Sequence, residues 1–131
     1  MGTPERVVTG ERASDAVLVV SLHRPPANAL GLPLIDGLNQ ALDEAAGAPA
    51  VKIIVVASEL PGFFAAGADI KYMAKAGAAD FAAYGRALRA VLDRLAAPRW
   101  LSIAAVAFFA SDDASYITGQ TLSVSGGLTM A

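Results

Sequence analysis

Two stretches of the chain are short, almost continuously apolar and rich in β-branched side chains: Ala16-Val17-Leu18-Val19-Val20-Ser21-Leu22 and Val51-Lys52-Ile53-Ile54-Val55-Val56-Ala57. Runs of that length and make-up predict strands, and the absence of alternation predicts burial on both faces. Val7-Val8-Thr9 predicts an earlier strand, joined to the first run by polar residues 10–15. His23-Arg24-Pro25-Pro26-Ala27-Asn28 stops that run, because two prolines have no N–H for a ladder and set a turn.

Elsewhere the apolar spacing is helical. From Pro33, suited to a first helical position, Leu34, Ile35, Leu38, Leu42 and Ala45 share one face, with Asp36, Gln40 and Glu44 off it. Gly47 and Pro49 end that helix. A strand, a helix and a strand within about forty residues form a βαβ unit and imply a parallel sheet. After the turn cluster Ser58-Glu59-Leu60-Pro61-Gly62, residues 69–74 read as helical. A longer helix is predicted from Asp80, as N-cap, with a stripe of Phe81, Tyr84, Leu88, Val91, Leu92 and Leu95, and Pro98 ending it.

Composition narrows the picture. With 131 residues the chain suggests one domain at most. It is 55% hydrophobic and 17% charged, against roughly 25% charged in an average globular protein, and much of the apolar share is alanine. No run reaches the roughly 18 apolar residues of a membrane span, so no membrane association is expected. Net charge is −2, from ten basic and twelve acidic residues without a basic stripe, which argues against nucleic acid as a partner. With no cysteine, disulfides, zinc–thiolate sites and thiol catalysis are excluded. The first residues, Met1-Gly2-Thr3-Pro4-Glu5-Arg6, lack a signal-peptide pattern, and a cytoplasmic protein is the expectation.

Candidate chemistry centres on Ala66-Gly67-Ala68-Asp69. The loop leaves the carboxyl end of a predicted parallel strand, where open α/β sheets bind ligands. Small residues let a ligand approach the backbone, and a helix starting at Asp69 presents outward amides. Such an N–H can hold a developing oxyanion, and one donor of this kind is worth about 3 kcal/mol in a transition state. The alternative, a purely structural Gly-Ala turn before a helix, stands beside that reading.

The run Phe64-Ala65-Ala66-Gly67-Ala68-Asp69-Ile70-Lys71, preceded by His23-Arg24-Pro25 and Asn28-Ala29-Leu30 in the right order, resembles the signature of the crotonase (enoyl-CoA hydratase/isomerase) superfamily. The resemblance covers about residues 5–100. It implies a mixed α/β fold: a truncated ββαβα spiral unit with parallel strands, followed here by a C-terminal helix and strand. It implies an acyl-CoA ligand, in fatty acid or other acyl-CoA degradation, with CoA as part of the substrate, no separate cofactor and no metal. By it, Ala68 would supply one of two backbone N–H groups on the thioester oxygen, from the loop that includes Gly67, and Ala66 would offer backbone contacts to the CoA adenine. Asp69, Ile70 and Lys71 would line the acyl and pantetheine path, with Arg24 and Ala27 near the CoA chain. Lys71 and Arg24 face either CoA phosphates or solvent. A homo- or hetero-oligomer is compatible.

Two parts of the family pattern have no counterpart. The family's second oxyanion donor lies in a Gly-rich segment after a strand resembling Ile103-Ala104-Ala105-Val106, but here Ala107-Phe108-Phe109 follows. Its glutamates come later still, and after Glu59 this chain has none. The general acid–base pair for hydration is therefore unassigned.

The end of the chain, from Ile103 through Phe108-Phe109-Ala110-Ser111-Asp112-Asp113-Ala114-Ser115-Tyr116-Ile117-Thr118-Gly119-Gln120 to Ser125-Gly126-Gly127, resembles instead the C-terminus of a short-chain dehydrogenase/reductase. The expected division is a crotonase-like portion, 1–102, and a helix-turn-strand tail, 103–131, joined by a fusion of neighbouring genes or an assembly artefact. The dinucleotide fingerprint and a Tyr-x-x-x-Lys pair are absent. Three functional readings stay open: a catalytically incomplete acyl-CoA binder, an inactive remnant that folds only with partner subunits, and a remnant of an NAD(P)-dependent dehydrogenase. His23, the single histidine, is followed by no catalytic motif in the sequence and reads as non-catalytic. Asp112-Asp113 reads as a solvated turn or helix end rather than a metal pair, Gly126-Gly127 as a turn, and Tyr84 and Phe81 as core residues of their helix rather than an acyl pocket.

Overall fold

The two β-branched runs lie side by side in parallel, as the βαβ pattern requires. The computed structural model describes residues 6–103. In it the runs form β2 (Val17–Leu22) and β3 (Ile53–Ser58), paired from Val17↔Ile53 to Leu22↔Ser58 and linked by helix α1 (Leu32–Ala46). Edge strand β1 (Val8–Arg12) runs antiparallel to β2, and a short β4 (Leu101–Ile103) runs parallel to β3, giving the order β1-β2-β3-β4. Between β3 and β4 lie α2 (Ile70–Lys75) and α3 (Ala78–Leu95). The fold is the expected mixed α/β unit with mostly parallel strands.

The core forms where the inward face of the sheet meets the apolar stripe of α1. Leu18, Val20, Leu22, Ile54 and Val56 pack against Leu34, Ile35, Leu38, Leu42 and Ala45, all of them buried. Arg94 ties α3 to α1, its guanidinium donating to Asn39 Oδ1 at 2.6 Å and to Asp43 Oδ1 at 2.7 Å. Trp100 is buried at the end of the connection, its indole N–H donating to Arg94 O at 3.1 Å.

Four details differ from the sequence reading. β2 and β3 alternate between buried and half-buried positions, so within the described residues one face of the sheet is fully covered and the other only partly. β1 continues through Gly10-Glu11-Arg12, whose polar side chains are tolerated because an edge strand faces water. α3 begins at Ala78 with Gly77 as N-cap, since Gly77 O accepts from Phe81 N–H; Asp80 sits in the first turn, where its charge suits the helix dipole. Phe81 is 48% exposed, not a core residue. At about 100° per residue the buried stripe of α3 centres on Tyr84, Val91 and Leu95, and Phe81 and Leu92 fall at its margin.

The expected tail, 103–131, lies outside the described residues except for Ile103, which closes β4 as a strand residue. Among the described residues, no helix is long and apolar enough to cross a membrane.

Candidate functional site

The matched register of β2 and β3 sets the position of the site. Because Leu22 pairs with Ser58, both strands end at one level, and the segments after them, 23–31 and 59–69, meet beyond the carboxyl ends. There His23 Nδ1 lies 3.6 Å from Glu59 Oε2, a carboxylate neighbour that sequence spacing did not reveal.

Asn28 stitches these segments together. It is completely buried, with φ 53, a left-handed conformation that asparagine tolerates better than most residues. Its Oδ1 accepts from Arg24 N–H at 2.7 Å, and its amide donates to Ser58 Oγ at 2.8 Å and Phe64 O at 2.9 Å. Both of its side-chain N–H donors are thereby used.

The loop then runs alongside residues 27–30. Ala66 N–H donates to Ala27 O at 3.0 Å and Leu30 N–H to Gly67 O at 2.7 Å, within a parallel bridge of Leu30 with Ala68. Gly67 has φ +87, a conformation open to glycine at little cost. In a trans peptide the C=O and the following N–H point opposite ways. With the Gly67 carbonyl turned in toward Leu30, the Ala68 N–H points away from it. Among the described residues that N–H donates to no protein acceptor, nor does that of Gly67 before it, while the amides on either side of this pair, of Ala66 and Asp69, are both engaged.

Asp69 anchors the far side of the loop. Buried to 7% exposure, it is the N-cap of α2: Oδ1 accepts from Tyr72 N–H at 3.1 Å, and Oδ2 pairs with Arg24 Nη1 at 2.9 Å. The Tyr72 amide and then the Arg24 guanidinium hold its carboxyl below the ordinary carboxylate range, outweighing burial, which acts the other way. Arg24 Nη1 also donates to Ala29 O at 2.9 Å. Gly31 is required beside this pair: a Cβ there would lie 2.4 Å from Asp69 Oδ2 and 2.6 Å from Arg24 Nη1. Behind the loop, Tyr84 Oη accepts from Asp69 N–H at 2.8 Å and donates to Leu30 O at 2.6 Å.

Arg24, Ala27, Ala66, Gly67, Ala68 and Asp69 are thus brought together. Arg24 and Asp69 spend their charges on each other inside the fold, and the Ala27 carbonyl is taken by Ala66. Ile70, 77% exposed, and Lys71 follow on the open side of α2. Ala68 precedes the N-cap, so its N–H is aimed by the Gly67 peptide and not by the axis of a helix, as the sequence argument had it. Sequence reasoning did not single out Asn28 or Gly31 as builders of the site, and it placed Tyr84 only in the core. A polar residue tolerant of positive φ, two positions after a pair of prolines, is the one local sign of Asn28. Among the described residues no cluster of three or more metal-ligating side chains occurs.

A βαβ unit whose second strand leads into this backbone loop defines the class: a mixed α/β protein with mostly parallel strands. The enoyl-CoA hydratase/isomerase profile matches residues 12–111, and the chain belongs to that family. It is 32% identical over 87 residues to the mitochondrial methylglutaconyl-CoA hydratase of Homo sapiens, covering 66% of this chain and 26% of that protein. It is 26% identical over 102 residues to the mitochondrial enoyl-CoA delta isomerase 1 of Mus musculus, covering 78% and 35%. Among solved structures, an enoyl-CoA hydratase from Geobacillus kaustophilus superposes with a TM-score of 0.65 at 28% identity, over 72% of this chain and 35% of that one. The chain therefore spans between a quarter and about a third of these relatives. The family match continues to residue 111, across the first nine residues of the expected tail.

Proposed function

We propose that the chain carries the thioester-binding half of an acyl-CoA site and, as its 131 residues stand, is catalytically incomplete. The observation that supports this most is the Ala68 N–H, turned away from the bonded Gly67 carbonyl and without a protein acceptor among the described residues, in a loop pinned by the amides of Ala66 and Asp69. A thioester carbonyl oxygen is the acceptor that fits it, since one backbone donor can polarise a carbonyl without a charged side chain. Ala66 is exposed and Gly67 has no side chain, so an extended ligand can lie close to the backbone. Ile70 and Lys71 stand beside that path, an apolar and a cationic group suited to a pantetheine arm and a CoA phosphate.

The support for incompleteness is confined to these 131 residues. The resemblance requires a second N–H donor and later glutamates, and no glutamate follows Glu59. Without a general acid and base to manage the water, loss of rate runs to many powers of ten. The purified 131-residue chain is expected to bind a short acyl-CoA, read as ligand-dependent protection against thermal unfolding, and to leave a short enoyl-CoA unhydrated. Hydration well above a protein-free blank, followed by loss of the enoyl-thioester absorbance, refutes the incompleteness. Failure of any acyl-CoA to raise the melting temperature refutes the binding.

A further inference from the structure

The hydroxyl of Tyr84 is the one polar group of α3 that reaches into the loop from behind. The side chain is 3% exposed, and its ring packs against Tyr72 with centroids 5.3 Å apart. A tyrosine placed only to fill the core would need one hydrogen-bond partner for its hydroxyl. This one has two, and both belong to the bridge that carries Ala68. The oxygen accepts from Asp69 N–H, the amide immediately after Ala68, and the O–H donates to Leu30 O. At the other end of the same bridge, Leu30 N–H donates to Gly67 O. The two peptides flanking Ala68 are therefore both tied to Leu30, one directly and one through the phenol oxygen.

We propose that Tyr84 is a positioning residue for the thioester oxygen: its hydroxyl, held between Asp69 N–H and Leu30 C=O, fixes the orientation of the Ala68 N–H. This inference rests on the reading of Ala68 as a thioester donor, but its structural half can be measured without ligand. Fixing a donor before the ligand arrives removes ordering cost from binding, and the gain falls on the carbonyl and not on the CoA portion. The phenol needs no charge for this role and touches no reacting atom.

Tyr84→Phe keeps the ring and removes only the oxygen. Amide exchange followed by NMR on the 131-residue chain should show Asp69 exchanging at least about tenfold faster in the variant, the loss of one ordinary hydrogen bond, while Ile54 and Val56 in β3 keep their protection. Leu88→Ala gives the comparison for a merely structural loss: it takes packing from the same helix and should not single out Asp69. In the wild type, Asp69 should exchange slowly beside a fast Ala68, a pattern that does not depend on the variant folding. The ligand arm uses an acyl-CoA with a ¹³C-labelled thioester carbonyl. Its infrared stretch should fall on binding the wild type, and fall less on binding Tyr84→Phe, while free CoA binds both equally.

Asp69 exchange that is fast in the wild type, or unchanged in Tyr84→Phe, overturns the proposal, as does an equal carbonyl shift in both proteins. A wild type that shows the exchange pattern but binds no acyl-CoA overturns the thioester reading instead.

Discussion

At Asn28 one buried side chain closes three hydrogen bonds, to Arg24, Ser58 and Phe64, and holds a positive φ as well. Truncating it removes the acceptor of the Arg24 N–H and one donor each from Phe64 O and Ser58 Oγ, the last of which keeps its bond from Leu60 N–H, and a buried group left unsatisfied costs about 1–3 kcal/mol. Asn28→Ala is expected to lower stability by about 3 kcal/mol in urea unfolding. At Asp69 the expected effect is a pH dependence. Its folded carboxyl titrates below its unfolded one, so the stability it contributes is complete above about pH 4 and is lost as pH falls through the lower folded value. Melting temperatures taken down to about pH 2 should show a steeper acid limb for the wild type than for Asp69→Asn. Only the local half of either role was visible in the sequence. Asn28 bonds residues 30 and 36 positions away and Asp69 bonds Arg24 45 positions away, distances at which spacing along the chain says nothing.

Among the elements, α1 was the most legible, because a helix packed along one face must repeat its apolar residues at helical spacing, and all five residues of the expected face are buried. Its start was less so. The N-cap is Gly31, which makes no side-chain capping bond, although serine or aspartate is preferred there. The Arg24–Asp69 pair occupies the space such a side chain would need. Gly31→Ala is accordingly expected to destabilise by about 2 kcal/mol through overpacking, and less in an Asp69→Ala background. Unfolding free energies of the four proteins of that cycle measure the coupling, and strict additivity would contradict the contact. α3 was half legible. Its apolar residues form a stripe, but only its centre meets α1, so Phe81 and Leu92 were expected inside and stand half exposed. The true extent of β1 was hidden by its polar residues, which carry no alternation because they lie at an edge.

For the whole molecule, the parallel sheet and the loop beyond β3 were both readable, because a βαβ unit leaves little choice about where its strand ends lie. What the loop presents was not, since the direction of the Ala68 N–H depends on a single peptide turned by Gly67 and on contacts from three elements. The proposed function requires that this N–H receive a thioester oxygen. The most direct measurement is calorimetric titration of the 131-residue chain with a short acyl-CoA and, in parallel, with the thioether in which a methylene replaces the carbonyl. Saturable one-to-one binding, with the thioester about tenfold tighter than the thioether, is the expected result, the worth of one hydrogen bond of about 1.4 kcal/mol. Equal affinities for the two, or no saturable heat with either, would contradict it.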